Sequence, residues 1–302
     1  MALETTSILN RMRRLEIRTR RLIDDSLAGE YHSVFKGRGM DFDDVREYVP
    51  GDEVRTIDWN VTARAGHPFV KKYTEERELT ILLLVDVSAS GEFGSAALSK
   101  RDVAAEVASA LAFSAIRNSD KVGLLLYTDQ VERYVPPRKG RRHVLRVVRE
   151  ILYCEPHGRG TDTVRALDVA NHLLHRRAVV FLITDFLVPG AHEPQRSTLR
   201  RALRQTHRRH DLIAVRIGDP HEAAIPDLGV LVLEDAETGE VVELDTADPA
   251  VRRRLDEGAR ARTSQLAADI RAEGIDLLEL STDTPYLPAL LRLFRNRERR
   301  RR

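Results

Sequence analysis

The segment Asp86-Val87-Ser88-Ala89-Ser90 sets one carboxylate and two hydroxyls at alternate positions. In an extended stretch every second side chain points the same way, so these three oxygens can converge on a hard cation. Magnesium asks for an octahedral oxygen shell and keeps part of its water, which suits such a set. Two further segments offer the same chemistry. Gly160-Thr161-Asp162 carries a hydroxyl and a carboxylate ahead of a helical pattern, and Thr184-Asp185 closes an apolar run. Neutral hydroxyls in place of carboxylates leave an ion residual positive charge and an open position for an outside carboxylate. No general base paired with a nucleophile stands beside them, so the set predicts binding rather than catalysis.

Something must bring these segments together. Residues 79–85 and 178–184 are apolar runs with turn chemistry behind them, the pattern of strands buried on both faces. Further strands are expected at 122–127, 131–135, 211–217 and 275–280. Helices are expected at 99–118, 141–152, 163–176, 195–209, 249–273 and 285–295. Strands alternating with helices predict an α/β fold with a doubly wound, mostly parallel sheet of Rossmann type. In such a sheet ligands gather at the carboxyl ends of strands, where Asp86 and Asp185 fall. Four regions follow: an amphipathic helix over 1–30, a small β-containing region over 31–78, the α/β domain over 79–295 with a hairpin insertion at about 229–245, and a basic tail over 296–302.

A DxSxS after the first strand, a Gly-Thr before a helix and a Thr-Asp closing a later strand resemble the von Willebrand factor A fold with its metal-ion-dependent adhesion site. The resemblance implies Asp86, Ser88, Ser90, Thr161 and Asp185 as the five coordinating positions, holding Mg²⁺ or Mn²⁺/Ca²⁺. It also matches Ala166 and Leu167 after the threonine. Upstream, Gly39-x-x-Phe42, Arg46-x-Tyr48-x-Pro50-Gly51-Asp52-x-x-Arg55-x-Ile57-Asp58-Trp59 and Ala63-Arg64 resemble the bacterial domain of unknown function family 58, as does the loop Asp235–Glu240. Members typically occur beside MoxR-type AAA+ ATPases, which implies a non-enzymatic adaptor or co-chaperone acting with such a partner. Many members begin with two transmembrane helices, and this sequence has none. Read physically, Pro50-Gly51-Asp52 suits a type II turn. Arg46, Asp52, Arg55, Asp58 and Arg64 can form a charge network around Trp59, the only tryptophan, either structural or as a recognition surface.

Composition narrows the alternatives. Hydrophobic residues make up 42% and charged residues 32%, as in a globular protein, and no apolar run is long enough to span a bilayer. Residues 1–30 lack the apolar core of a secretion signal, so the chain is expected to be cytoplasmic. The single cysteine, Cys154, rules out an internal disulfide and reads as an apolar filler. Net charge is +2, yet the last 16 residues hold seven Arg and one Glu, leaving 42 basic and 46 acidic side chains before them, a net of −4. The arginines allow a nucleic-acid reading, though without interleaved aromatics. An Asp after the first strand also fits a Mg-dependent phosphatase of the haloacid-dehalogenase kind. That chemistry asks for an acid/base Asp where Ser88 stands. Its lysine would have to be one of six, at 36, 71, 72, 100, 121 and 139. His172 with His175, and His207 with His210, lack a third ligand and read as solvated or capping.

Overall fold

The computed structural model describes residues 27–35, 41–74, 78–187, 193–234, 239 and 241–301. Most of the helix expected over 1–30, and all of the loop 235–240 except Gly239, lie outside them. The chain divides into two compact units, Phe35–Leu79 and the remainder.

In the smaller unit, β1 (Asp41–Glu47) pairs antiparallel with β2 (Phe69–Thr74). The intervening Val49–Asp52 turn is closed by Asp52 N–H donating to the Val49 carbonyl at 3.0 Å, with Gly51 at φ 113°. Only glycine takes that φ freely, which is why the turn reads from sequence. Within the region expected to contain β-structure, the stretch 54–59 is instead a 3-10 turn (Val54–Thr56) leading into helix α2 (Trp59–Ala65). Asp58 starts that helix by accepting the Asn60 and Val61 amides, and Gly66 ends it at φ 79°.

Helix α1 (Ala28–Phe35) belongs to the larger unit except for its last residue. The Tyr31 phenol donates to Asp120 at 2.9 Å, and its ring meets Phe294 edge-on. A six-stranded sheet forms the centre. Its strands are β3 (Thr80–Asp86), β4 (Lys121–Tyr127), β5 (Val131–Arg138), β6 (Val179–Thr184), β7 (Asp211–Gly218) and β10 (Asp276–Ser281), in the order β10-β7-β6-β3-β4-β5. All neighbours run parallel except β5, which returns antiparallel beside β4. The expected doubly wound, mostly parallel sheet is therefore present. Ile81–Val85 and Val180–Ile183 are at most 1% exposed, as strands covered on both faces must be.

Helix α3 (Lys100–Arg117) follows β3 and is buried nearly all round, its six alanines among 103–115 letting neighbours approach closely. Ser99 and Asp102 form a capping box at its start. After it come α4 (Arg141–Tyr153), α5 (Thr163–Leu173) and α6 (Glu193–Arg209). Helix α5 stops before the expected 176 because Leu174 turns extended and buries its side chain. A short helix that the sequence reading missed, α7 (Pro220–Ala223), follows β7. Strands β8 (Val230–Glu234) and β9 (Val241–Asp245) make the expected hairpin, with Val232 70% exposed. Helix α8 (Pro249–Ala272) is tied to α6 by Arg196–Asp269 at 2.5 Å and by Arg200 and Arg204 on Glu273.

The last helix, α9 (Tyr286–Arg301), runs past the expected end at 295, so the basic tail is helical over 296–301. Three of its arginines are engaged: Arg295 with Glu30, Arg297 with Asp211 and Asp276, and Arg300 with Asp276. Those pairs pull the final turns onto the amino ends of β7 and β10. Among the described residues no helix is long and apolar enough to cross a membrane.

Candidate functional site

Strands β3 and β6 are neighbours, but the chain leaves β3 toward β4 on one side and β6 toward β7 on the other. The crevice beyond their carboxyl ends is the switch point of the sheet. Asp86 is the last residue of β3. One of its carboxylate oxygens accepts the Ser88 amide at 2.9 Å and the other the Thr184 hydroxyl at 2.7 Å. Val87 extends the ladder by donating to the Tyr127 carbonyl, so the chain stays extended and Ser88 remains beside Asp86. Ser88 is 1% exposed, and its hydroxyl lies 3.1 Å from that of Ser90.

Asp185 follows β6. One oxygen accepts the Leu187 amide at 3.0 Å and the other the Lys100 ammonium at 2.6 Å. Between Asp185 and Leu187, Phe186 is buried in the left-handed region at φ 56°, a conformation costly for an aromatic residue. That strained turn aims the Asp185 carboxylate back over the strand ends. Lys100, at the first position of α3, also reaches Glu222 of α7 at 2.5 Å and is 3% exposed.

Asp86, Ser88, Ser90, Lys100, Thr184 and Asp185 thus line one cavity of about 20 Å³. That volume accommodates one or two water-sized species. Of the five coordinating positions implied by the resemblance, four meet here. Thr161 is not among the lining residues. Its loop borders the site, since the Arg159 carbonyl accepts the Ala89 amide at 3.4 Å.

The electrostatics single out Asp86. Burial, then the charge of Asp185, push its carboxyl up to about 6 against the hydrogen bonds from Ser88 and Thr184. Burial works against a charged Lys100, but Asp185 and Glu222 more than offset it and raise the ammonium above its ordinary value. Arg101, on the cavity wall, is engaged by Glu92 and the Cys154 carbonyl. Asp185 and Glu222 share the one ammonium while Asp86 has no ion-pair partner among the described residues, which leaves the cluster with excess negative charge, and Asp86 with the Ser88 and Ser90 hydroxyls supplies hard oxygen donors. This donor set suits a divalent cation of the magnesium class. Among the described residues no group of three His, Cys, Asp or Glu is placed to hold a metal, so an ion here needs the hydroxyls.

Two supporting carboxylates escaped the sequence reading. Asp219, 3% exposed after β7, accepts the Ser95 amide and hydroxyl, the Thr282 hydroxyl and the His221 amide at 2.6–2.9 Å. Burial pushes Asp219 up, but these donors outweigh it and hold it at about 2. Its own amide donates to Glu222 at 3.2 Å, which fixes the second partner of Lys100. Glu132 of β5 accepts the Thr128 hydroxyl and the amides of His157 and Gly158, anchoring the loop that leads to Thr161. Burial pushes it up too, and the same donors bring it down to about 2. The sequence Asp219-Pro-His-Glu222 was the available signal, a capping box directly after a strand.

In the smaller unit Arg46 grips Asp52 through two bonds of 2.7 and 2.6 Å, while Asp58 caps α2 with Lys71 3.8 Å away. These are two separate devices; Arg55 and Arg64 make no ion pair among the described residues, and Trp59 is 66% exposed. Of the histidines, His172 bonds its own helix at the Asp168 carbonyl. His210 is buried, not solvated; burial, then Arg209 and Arg177, lower its pKa. The Cys154 thiol is half-buried and raised chiefly by burial, consistent with a filler.

A doubly wound sheet with Asp-x-Ser-x-Ser and Thr-Asp at its switch point defines a von Willebrand factor A-like α/β protein. The family model described as "Protein of unknown function DUF58" matches residues 44–265, and the chain belongs to that family. It is 36% identical over 290 residues to the uncharacterized protein Rv1480 of Mycobacterium tuberculosis, covering 95% of this chain and 89% of that one. Among solved structures it is similar to the hypothetical protein BatB from Bacteroides thetaiotaomicron (16% identity, 73% of this chain and 99% of that one, TM-score 0.46). It is also similar to the SpRpn10 VWA domain (13% identity, 71% and 94%, TM-score 0.40). The fold assignment rests on the strand order and not on these remote likenesses.

Proposed function

We propose that this chain is a non-enzymatic, divalent-cation-dependent protein-binding module. One observation carries the reading: the excess negative charge and hydroxyl donors gathered in a cavity of ion size at the sheet's switch point. Asp86, Ser88 and Ser90 would hold Mg²⁺ or a similar ion, with Asp185 and Thr161 completing the set. A bound ion supplies an open position that accepts a carboxylate from a protein partner. The chain's own part is to keep the donors in place: Thr184 and the Ser88 amide fix Asp86, and Glu132 and Asp219 fix the loops around it. The family resemblance supports a MoxR-type AAA+ ATPase as that partner, with this chain as adaptor or co-chaperone.

The hydrolase alternative is disfavoured by Ser88 at the acid/base position. Nucleic-acid binding would have to compete for arginines already paired with Glu30, Asp211 and Asp276.

Calorimetric titration of Mg²⁺ and Mn²⁺ into chelator-stripped protein tests the cation. Binding weakened at least about tenfold in Asp86→Ala/Ser88→Ala is expected. Capture of a purified MoxR-type ATPase should require the metal and disappear in EDTA. Intact metal binding and capture in the double variant would sink the proposal.

A further inference from the structure

Lys100 carries a positive charge in a place that protein stability alone does not favour. It sits at the first position of α3, where the helix dipole opposes cations, and its side chain is 3% exposed. A buried ammonium is tolerated only when paired, and its partners are Asp185 and Glu222, at 2.6 and 2.5 Å. It also lines the same 20 Å³ cavity as Asp86, Ser88 and Ser90.

Asp185 gives one oxygen to the Leu187 amide and the other to Lys100. It can therefore join a metal shell only by sharing or releasing the ammonium. Glu222 stands ready on the far side, held by the Asp219 amide in a capping box that Ser95 and Thr282 lock in place. An ammonium that leaves Asp185 keeps a fixed carboxylate partner.

Resting in part on the cation-site reading, we infer that Lys100 is a tethered internal cation that competes with the divalent ion for Asp185 and so sets the site's ion affinity. Its two arrangements are a bridge between Asp185 and Glu222, and a pair with Glu222 alone. Divalent binding selects the second.

The test compares wild type with Lys100→Met and Lys100→Met/Glu222→Gln, titrating Mg²⁺ and Mn²⁺ by calorimetry and following thermal unfolding with EDTA or the metal. The double variant removes one positive and one negative charge, so cluster charge is unchanged and only the competitor is lost. It also serves if Lys100→Met alone fails to fold. The expected result is divalent binding at least about tenfold tighter in the double variant. That gain should vanish when Asp86→Ala is added, and the metal should shift the melting temperature more than in wild type. Affinity in the double variant equal to or weaker than that of wild type overturns the inference. Wild type that binds no ion up to about 10 mM while the double variant does would support the tethered cation and count against the function proposed above. Wild type that binds equally well as the double variant would do the reverse. Binding by neither would overturn both.

Discussion

Asp86 and Asp219 sit at the ends of nearby strands, yet their surroundings drive their acidities apart. Burial and Asp185 raise Asp86 to about 6, while four donors overcome the burial of Asp219 and hold it at about 2. Linkage then gives stability a peaked pH profile in metal-free protein. Above about 6, ionised Asp86 penalises the fold. The penalty fades as pH falls through 6 toward the unfolded value near 4, a gain of about 2 kcal/mol. Below about 4 the contributions of Asp219, Glu132 and Glu273, each held at about 2, are lost as pH falls further. Urea unfolding in EDTA should thus find a maximum near pH 5. Asp86→Asn should flatten the limb between pH 7 and 5, and Asp219→Asn should lower the plateau and shallow the acid limb. A wild-type profile falling steadily from pH 7 to 5 would contradict this account. At this scale the sequence was legible for Asp86, Ser88, Ser90 and Asp185, because a carboxylate behind an apolar run is a local pattern. Lys100 and Glu222 were not, since they lie 122 residues apart and meet only when α3 and α7 are placed on the sheet.

Elements obeyed the sequence where burial on two faces wrote an unbroken apolar run, as in β3, β4 and β6, or where caps such as Ser99 and Asp102 bracketed a helix. They escaped it where nothing apolar repeats. Helix α2 buries no residue and is defined only by Asp58 and Gly66 at its ends. Helix α7 is a single turn whose role is to present Glu222. The loop between the Asp-x-Ser-x-Ser segment and α3 makes a sharper demand. A Cβ on Gly94 would stand 2.6 Å from the Leu98 carbonyl oxygen and 2.7 Å from the Ser99 Cα. Backbone atoms cannot rotate aside, so Gly94→Ala must shift the loop, draw Ser95 off Asp219 and cost about 2 kcal/mol. Denaturant melts would register the loss, and a variant as stable as wild type would refute the packing argument.

Across the whole molecule the near-neutral sum conceals a division of labour. Carboxylates crowd the carboxyl ends of the strands, while the arginines of α9 settle on Asp211 and Asp276 at the amino ends. The sequence placed the arginines in a tail but could not place Asp211 and Asp276 beneath them, because that needs the order of β7 and β10 in the sheet. The β8–β9 hairpin stands apart, exposing Val230, Val232, Val241 and Val242 by half or more. Side chains already in water contribute little burial, so Val232→Thr with Val241→Thr should leave the melting temperature within about 2 °C of wild type. A larger drop would mean the hairpin packs onto the body. One margin of the main sheet is built differently. Edge strand β5 carries Pro136 and Pro137, which have no amide hydrogen, and Pro137 lies so close to Gly123 that a Cβ there would meet it at 2.8 Å. A stray strand from a neighbouring or half-folded copy finds no continuous row of donors on that margin. The β5 border is therefore a poor template for accretion at its Pro136–Pro137 end, where an added strand would lack a donor to pair with.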